Sequence, residues 1–294
     1  MSSVLLQGAG VEKRFGRVPA LRGIDFEIKP GESVSILGAN GAGKSTLLRI
    51  LAGLSRPSRG KFQALSESQE PNADAHPSTE TTNKAAGVTL ARNELRGEVG
   101  YVGHATLVYA ELTARENLAF AARLHGRKPE RDQIDATLSD VGLIEFADRR
   151  AGSFSRGMAQ RLSIARAIVH GPHVLLLDEP FTGLDESSAE RLSTQLSALR
   201  GGERTLILVT HDPRRAIELS DRALILHRGE IRATPNRSSD SADGEDGSGA
   251  FELATLRETL SRLSDSDNSG ETRRGTTPTA DRGIYSDAPR ENAT

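Results

Sequence analysis

Ser33-Val-Ser-Ile-Leu-Gly38-Ala39-Asn40-Gly41-Ala42-Gly43-Lys44-Ser45-Thr46-Leu-Leu-Arg-Ile-Leu51 decides the fold. Its middle matches G-x-x-x-x-G-K-[ST] at every fixed position, the spacing of a phosphate-binding loop. A short apolar run precedes it, and Leu47, Leu48, Ile50 and Leu51 follow at helical spacing, so strand, loop and helix come in the order the motif requires. Glycines let the backbone wrap around phosphate oxygens, and the helix start adds about half a positive charge. Residues Gly38 to Thr46 are therefore expected to hold a nucleotide, with Lys44 on the β- and γ-phosphates and the Ser45 hydroxyl on Mg²⁺.

Downstream, Val174-Leu-Leu-Leu-Asp178-Glu179-Pro180 reads as a parallel strand buried on both faces. It ends in two acids at the strand's carboxyl end, where open α/β sheets bind ligands. Successive strand side chains point to opposite sides, so the two acids are expected to divide their work. Asp178 is assigned to the Mg²⁺ shell and Glu179 to the attacking water. A second strand-like run, Thr205-Leu-Ile-Leu-Val209-Thr210, ends the same way and delivers His211. Between these segments and the loop lies Ser153-Phe-Ser155-Arg156-Gly157-Met158-Ala-Gln-Arg-Leu162, a small turn opening a helix and a second set of backbone amides for phosphate.

Taken together, residues Val4 to Thr234 resemble the ATP-binding subunit of an ATP-binding-cassette transporter. The resemblance implies an α/β fold: a P-loop NTPase (RecA-like) core with an antiparallel β-subdomain and an inserted α-helical subdomain. It also implies that Ser155, Arg156, Gly157 and Met158 form the signature loop, which acts on the ATP held by a second subunit. The family usually has Leu-Ser-Gly-Gly-Gln there; Phe154, Arg156 and Met158 depart from it at the first, third and fifth positions. By the same resemblance, Phe15 stacks on adenine and His211 contacts the γ-phosphate, so the catalytic set is Glu179, His211 and Lys44. Gly183, Leu184 and Asp185 correspond to a dimer-interface loop, although an Asp before Leu192, Leu196 and Leu199 at helical spacing also reads as a helix N-cap.

Gly100-Tyr-Val-Gly-His104-Ala-Thr106 aligns with the loop that usually offers Gln to Mg²⁺ and water, so His104 stands where Gln is expected and is a further candidate ligand. An imidazole lacks an amide's paired donor and acceptor. With Glu111-Leu-Thr-Ala-Arg-Glu116-Asn-Leu and Arg123-Leu-His125-Gly126, this segment is similar to the ATPase of the heme exporter of cytochrome c biogenesis; a generic drug, lipid or polysaccharide exporter ATPase is the alternative. A soluble cassette ATPase without a transporter is less favoured, since the chain has one cassette and no heptad run.

The resemblance implies ATP and Mg²⁺ as cofactors, a homodimer as the complete unit, and separate permease subunits as partners. Lys and Arg total 38 against 40 Asp and Glu, so no basic excess points to nucleic acid. The absence of cysteine excludes disulfides and thiol chemistry. No apolar run approaches the ~20 residues of a membrane span, and no secretory signal is evident, so a peripheral place on the cytoplasmic face of the cell membrane is expected.

Residues 1–233 are expected to form the cassette, with 63–96 containing a polar, disordered insertion from about Ser66 to Ala86 and 105–170 the helical subdomain. Residues 234–294 carry 12 acids and 7 bases and are expected to be mostly disordered and dispensable for ATPase activity. Phe251, Leu253, Leu256, Leu260 and Leu263 mark a short helix near 250–263 that either docks on the body or a partner, or frays alone.

Overall fold

Apolar side chains at every second position open the chain, with Val4 and Leu6 buried and Leu5 and Gln7 less so, the period of a strand with one face covered. In the computed structural model, which describes residues 4–66, 88–200, 204–236 and 252–271, this stretch is β1 (Val4–Phe15), paired antiparallel with β2 (Val18–Ile28). Strand β3 (Ser33–Leu37) leads through the phosphate loop into α1 (Lys44–Leu51). Next come β4 (Arg59–Ser66), β5 (Val88–Thr89), α2 (Arg92–Glu98) and β6 (Val99–Val102). Most of the expected insertion lies outside the described residues, while its flanks are regular structure. Helices α3 (Ala114–Leu124), α4 (Arg131–Asp140) and α5 (Arg156–Ile168) precede β7 (Val174–Asp178), and α6 (Glu186–Leu199) precedes β8 (Thr205–Val209). The body closes with α7 (Pro213–Leu219), β9 (Arg222–His227) and β10 (Glu230–Ala233), and α8 (Leu253–Glu271) follows.

Two sheets result. One is antiparallel in the order β2-β1-β4-β5; the other runs β10-β9-β3-β8-β7-β6, parallel except for β10. The parallel sheet is covered on both faces, as the continuous apolar runs require. Val34, Ile36, Leu176 and Ile207 pack with the antiparallel sheet and α1. Leu175, Leu177, Leu206 and Leu208 point the other way, into a second core shared with Leu118, Leu138, Leu162 and Leu196 of the helical layer. β3 sits near the centre of this sheet, which puts the phosphate loop at its carboxyl edge between the ends of its neighbours.

Local signals explain the helix starts. Thr113 caps α3 by accepting from the Glu116 amide, and the Glu116 carboxylate in turn accepts from the Thr113 amide, a capping box. Asn117, fully buried one turn in, accepts from the Tyr109 amide and donates to the Tyr109 carbonyl, tying the preceding loop to the helix.

The helix beyond the cassette is longer than the sequence suggests and is docked, not fraying. Leu256 is completely buried against Leu37, Ala216, Ala223 and Ile225, with Leu260 and Leu263 packed beside it. A cut after Thr234 uncovers the end of β3, α7 and β9. Leu256→Asp is expected to destabilise the fold by about 2–4 kcal/mol, read as a lower urea midpoint; an unchanged midpoint would show that α8 does not hold this seat.

A histidine pair with one buried member predicts acid sensitivity. His125, at the end of α3, and His170, after α5, stack with ring centroids 3.7 Å apart and planes 3° from parallel. Burial, reinforced by the charges of His125, Arg127 and Arg204, pushes the His170 imidazole down to about 4. The unfolded chain therefore binds more protons than the native state between that value and the ordinary histidine value of about 6.5, so stability rises with pH there and is lost on acidification. Between pH 7 and pH 5 this group is expected to remove about 1–2 kcal/mol. Urea titrations at both pH values on wild type and His170→Leu check this, the variant showing the shallower dependence.

Candidate functional site

Backbone shape builds the phosphate loop. Gly43, at φ 106°, is the N-cap of α1, and a Cβ there would lie 2.6 Å from the Ala20 carbonyl oxygen. Only glycine combines that left-handed backbone with so close an approach. The loop lines a cavity of about 240 Å³ with Ala20, Asn40, Gly41, Gly43, Lys44, Ser45, Thr46 and Glu179. It is braced from behind: the Gly229 amide donates to Ala42 O at 3.0 Å, and the Arg22 amide to Gly229 O at 2.9 Å.

Lys44 is almost fully buried and curls back on its own loop, its Nζ donating to the carbonyls of Gly38 at 2.8 Å and Ala39 at 3.0 Å. Burial pulls its ammonium below the ordinary lysine value, while Glu179 and Asp178 push it back up. The Ser45 hydroxyl donates to Asp178 Oδ1 at 3.1 Å, joining the loop to the end of β7. These are oxygen donors suited to a hard divalent cation, and their closeness fits Mg²⁺. When bound, that ion would supply positive charge to the phosphates, held by Ser45 and Asp178.

Asp178 and Glu179 take different partners at the end of β7. β7 ends at Asp178, and Glu179 leaves it in the left-handed region at φ 54° while its amide still donates to Val209 O at 3.0 Å. A non-glycine residue held there is strained, typically by about 1–3 kcal/mol. The turn places the Glu179 carboxylate in the phosphate-loop cavity, where its Oε2 lies 2.7 Å from His211 Nδ1. A carboxylate only accepts, so that bond puts a hydrogen on Nδ1. The His211 side chain is 68% exposed against 19% for Glu179.

The remaining expected residues are distributed around this centre. Phe15 is 55% exposed at the tip of the β1–β2 hairpin, with Lys13 Nζ 5.3 Å from its ring centroid. His104 is exposed on the turn after β6, and the phosphate-loop cavity is lined without it. Ser155 caps α5, its Oγ accepting from the Met158 amide at 3.2 Å. Neither Ser155, Arg156, Gly157 nor Met158 lines the cavity. Gly157 is buried instead against Ser188 at the start of α6.

Gly183, Leu184 and Asp185 run from the β7 end into α6, and Asp185 caps that helix, accepting from the Ser188 amide at 2.9 Å. The Ser187 hydroxyl, then the Ser188 amide and hydroxyl, hold the Asp185 carboxyl well below the usual range. Sequence reasoning missed Ala20, whose carbonyl closes on Gly43 and Gly229. It also missed the contact between Arg156 and Thr182. Neither residue type advertises such a role.

The loop, the two acids, the histidine and the parallel sheet they edge define a nucleotide-binding cassette. The chain belongs to the ABC transporter family, whose model matches residues 21–182. It is 37% identical over 226 residues to the sulfate/thiosulfate import ATP-binding protein CysA of Mycobacterium tuberculosis, covering 76% of this chain and 59% of CysA. It is 34% identical over 219 residues to the ABC transporter ATP-binding protein NatA of Bacillus subtilis, covering 73% of this chain and 80% of NatA. Among solved structures, an ATP-binding cassette captured as a post-hydrolysis dimer with ADP and Pi superposes with a TM-score of 0.64 at 27% identity, over 79% of this chain and 99% of that one. The chain thus spans about three fifths of the length of the mycobacterial CysA proteins that it matches.

Proposed function

We propose that this chain is the ATP-hydrolysing subunit of an ABC transporter, acting as a homodimer around two ATP on separate permease subunits at the cytoplasmic face of the membrane. The observation that carries this reading is that Ser45, bonded to Asp178, and Glu179, bonded to His211, both line the phosphate-loop cavity. In this mechanism Lys44 exchanges the carbonyls of Gly38 and Ala39 for phosphate oxygens. Glu179 orients the attacking water and accepts its proton, and His211 holds the carboxylate through Nδ1. Phosphoryl transfer needs little more than such positioning and charge.

Ser155 and Gly157 open a helix away from the cavity, so they serve a second copy's ATP, which makes dimerisation part of the chemistry. Among the described residues no helix is long and apolar enough to cross a membrane, which supports a division of labour with permeases. The cassette is assigned to residues 1–233, with 105–170 as the helical subdomain. Mg²⁺-dependent phosphate release by the purified chain, together with an integral membrane protein in its pull-down, tests the reading; a chain that releases no phosphate and brings down no membrane protein sinks it.

For the cargo, we propose heme export for cytochrome c maturation. Support comes from His104 in the Gly103-His104 turn and from the Glu111–Leu118 and Arg123–Gly126 segments; the relatives are named for other cargoes, among them sulfate and Nod factor. The alternative is a drug, lipid or polysaccharide exporter. Normal c-type cytochromes in a strain lacking this chain would rule heme out.

A further inference from the structure

We infer that Arg156 is a positioning residue that latches the signature turn to the loop Thr182–Asp185 of the same subunit, so that the two segments meet a second copy as one rigid surface. The inference rests on the dimeric reading above.

Three observations carry it. The Arg156 guanidinium donates through Nη2 to the Thr182 carbonyl at 2.9 Å, across a gap of 26 residues. It also fills the space over Gly183, where a Cβ would stand 2.3 Å from its Cζ, at a backbone φ of 73°. One residue further on, a Cβ on buried Gly157 would meet Ser188 Oγ at 2.9 Å, and that hydroxyl donates to Asp185 at 2.8 Å. The turn is thus seated twice on one neighbour, through a charged donor at Thr182–Gly183 and a close packing contact at Ser188.

The chemistry of the side chain matters. A glycine at position 156 reaches nothing, whereas a guanidinium carries several donors in a planar fork and can hold a carbonyl while lying flat over a glycine. The Thr182 amide already donates to Glu179 O at 3.1 Å and the Leu184 amide to Phe181 O at 3.2 Å. The latched loop is therefore continuous with the turn that sets Glu179. Arg156 has no place in the phosphate cavity, so it acts through these neighbours.

Hydrogen exchange on the nucleotide-free full chain provides the first test. Arg156→Ala should speed exchange across Thr182–Leu184 by about three- to tenfold, the loss expected for one hydrogen bond to a charged group at an exposed site. Arg156→Lys, which keeps a cationic donor, should recover part of the protection. Unchanged exchange in Arg156→Ala overturns the latch whether or not the chain dimerises.

ATP titration in the Glu179→Gln background provides the second, read as dimer by size exclusion. Adding Arg156→Ala should raise the ATP concentration for half-maximal dimer by about the same factor, with Arg156→Lys in between. An unchanged midpoint overturns the proposal that the latch serves assembly. Absence of any dimer in Glu179→Gln alone overturns the dimeric reading itself, a separate failure.

Discussion

Glu179→Gln should reduce steady-state phosphate release by about 10²–10⁴-fold, the range that positioned proton transfer contributes, while ATP still binds. The substitution keeps the shape of the side chain and an oxygen that can accept from His211 Nδ1, now 2.7 Å from Glu179 Oε2. It removes the charge and the basicity, so the water loses its proton acceptor while the nucleotide keeps its seat. With turnover blocked, ATP should hold two copies together, and the variant should elute as a dimer in ATP and as a monomer in ADP. Malachite-green phosphate release and size exclusion on the same sample decide the matter. Turnover within twofold of wild type would remove Glu179 from the chemistry and point to a different group at this edge of the sheet.

Lys44→Ala should weaken ATP binding by about 10–100-fold, the loss of one or more hydrogen bonds from a charged donor, and bring hydrolysis to background. Lys44 is 8% exposed and donates to the carbonyls of its own loop. Its removal subtracts a cation from the phosphates and also strips the Gly38 and Ala39 carbonyls of their donor. Titration with a fluorescent ATP analogue measures the first effect. Affinity within twofold of wild type would mean that the loop amides and the helix terminus alone hold the phosphates.

Much of this site was legible in the sequence because its parts are local. The phosphate loop carries its strand, turn and helix within nineteen residues of Ser33–Leu51, and the acids and His211 each end an apolar run whose length and composition mark a buried parallel strand. The order of those strands was not local. That β3 pairs with β8 and β9 depends on contacts between segments far apart, for which periodicity holds no information.

Glu179 shows a finer limit. Alternation predicts the two acids on opposite sides, whereas Asp178 bonds Ser45 and Glu179 lines the cavity beside that residue, since a strand end can be re-aimed by a single residue at φ 54°. The docking of α8 was underdetermined for a similar reason. An amphipathic stripe says that one face wants cover, and only the apolar seat formed by Ala216, Ala223 and Ile225 says where it finds it. Arg156 is the sharpest case: a departure from the family wording that looks like loosened geometry proves to have a partner in Thr182.

The support behind the phosphate loop also bears on synthesis of the chain. Gly229 braces Ala42 through its amide, all five residues of β3 are buried, and both strands that pair with it, β8 and β9, are encoded after residue 204. During translation the loop and its apolar strand leave the ribosome with neither neighbour yet made. At roughly 5–20 residues per second, the wait for the bracing glycine is on the order of ten to forty seconds. A nascent chain therefore holds the nucleotide motif long before it holds a nucleotide site, and throughout that interval its central strand is an unpaired hydrophobic segment that ATP cannot stabilise.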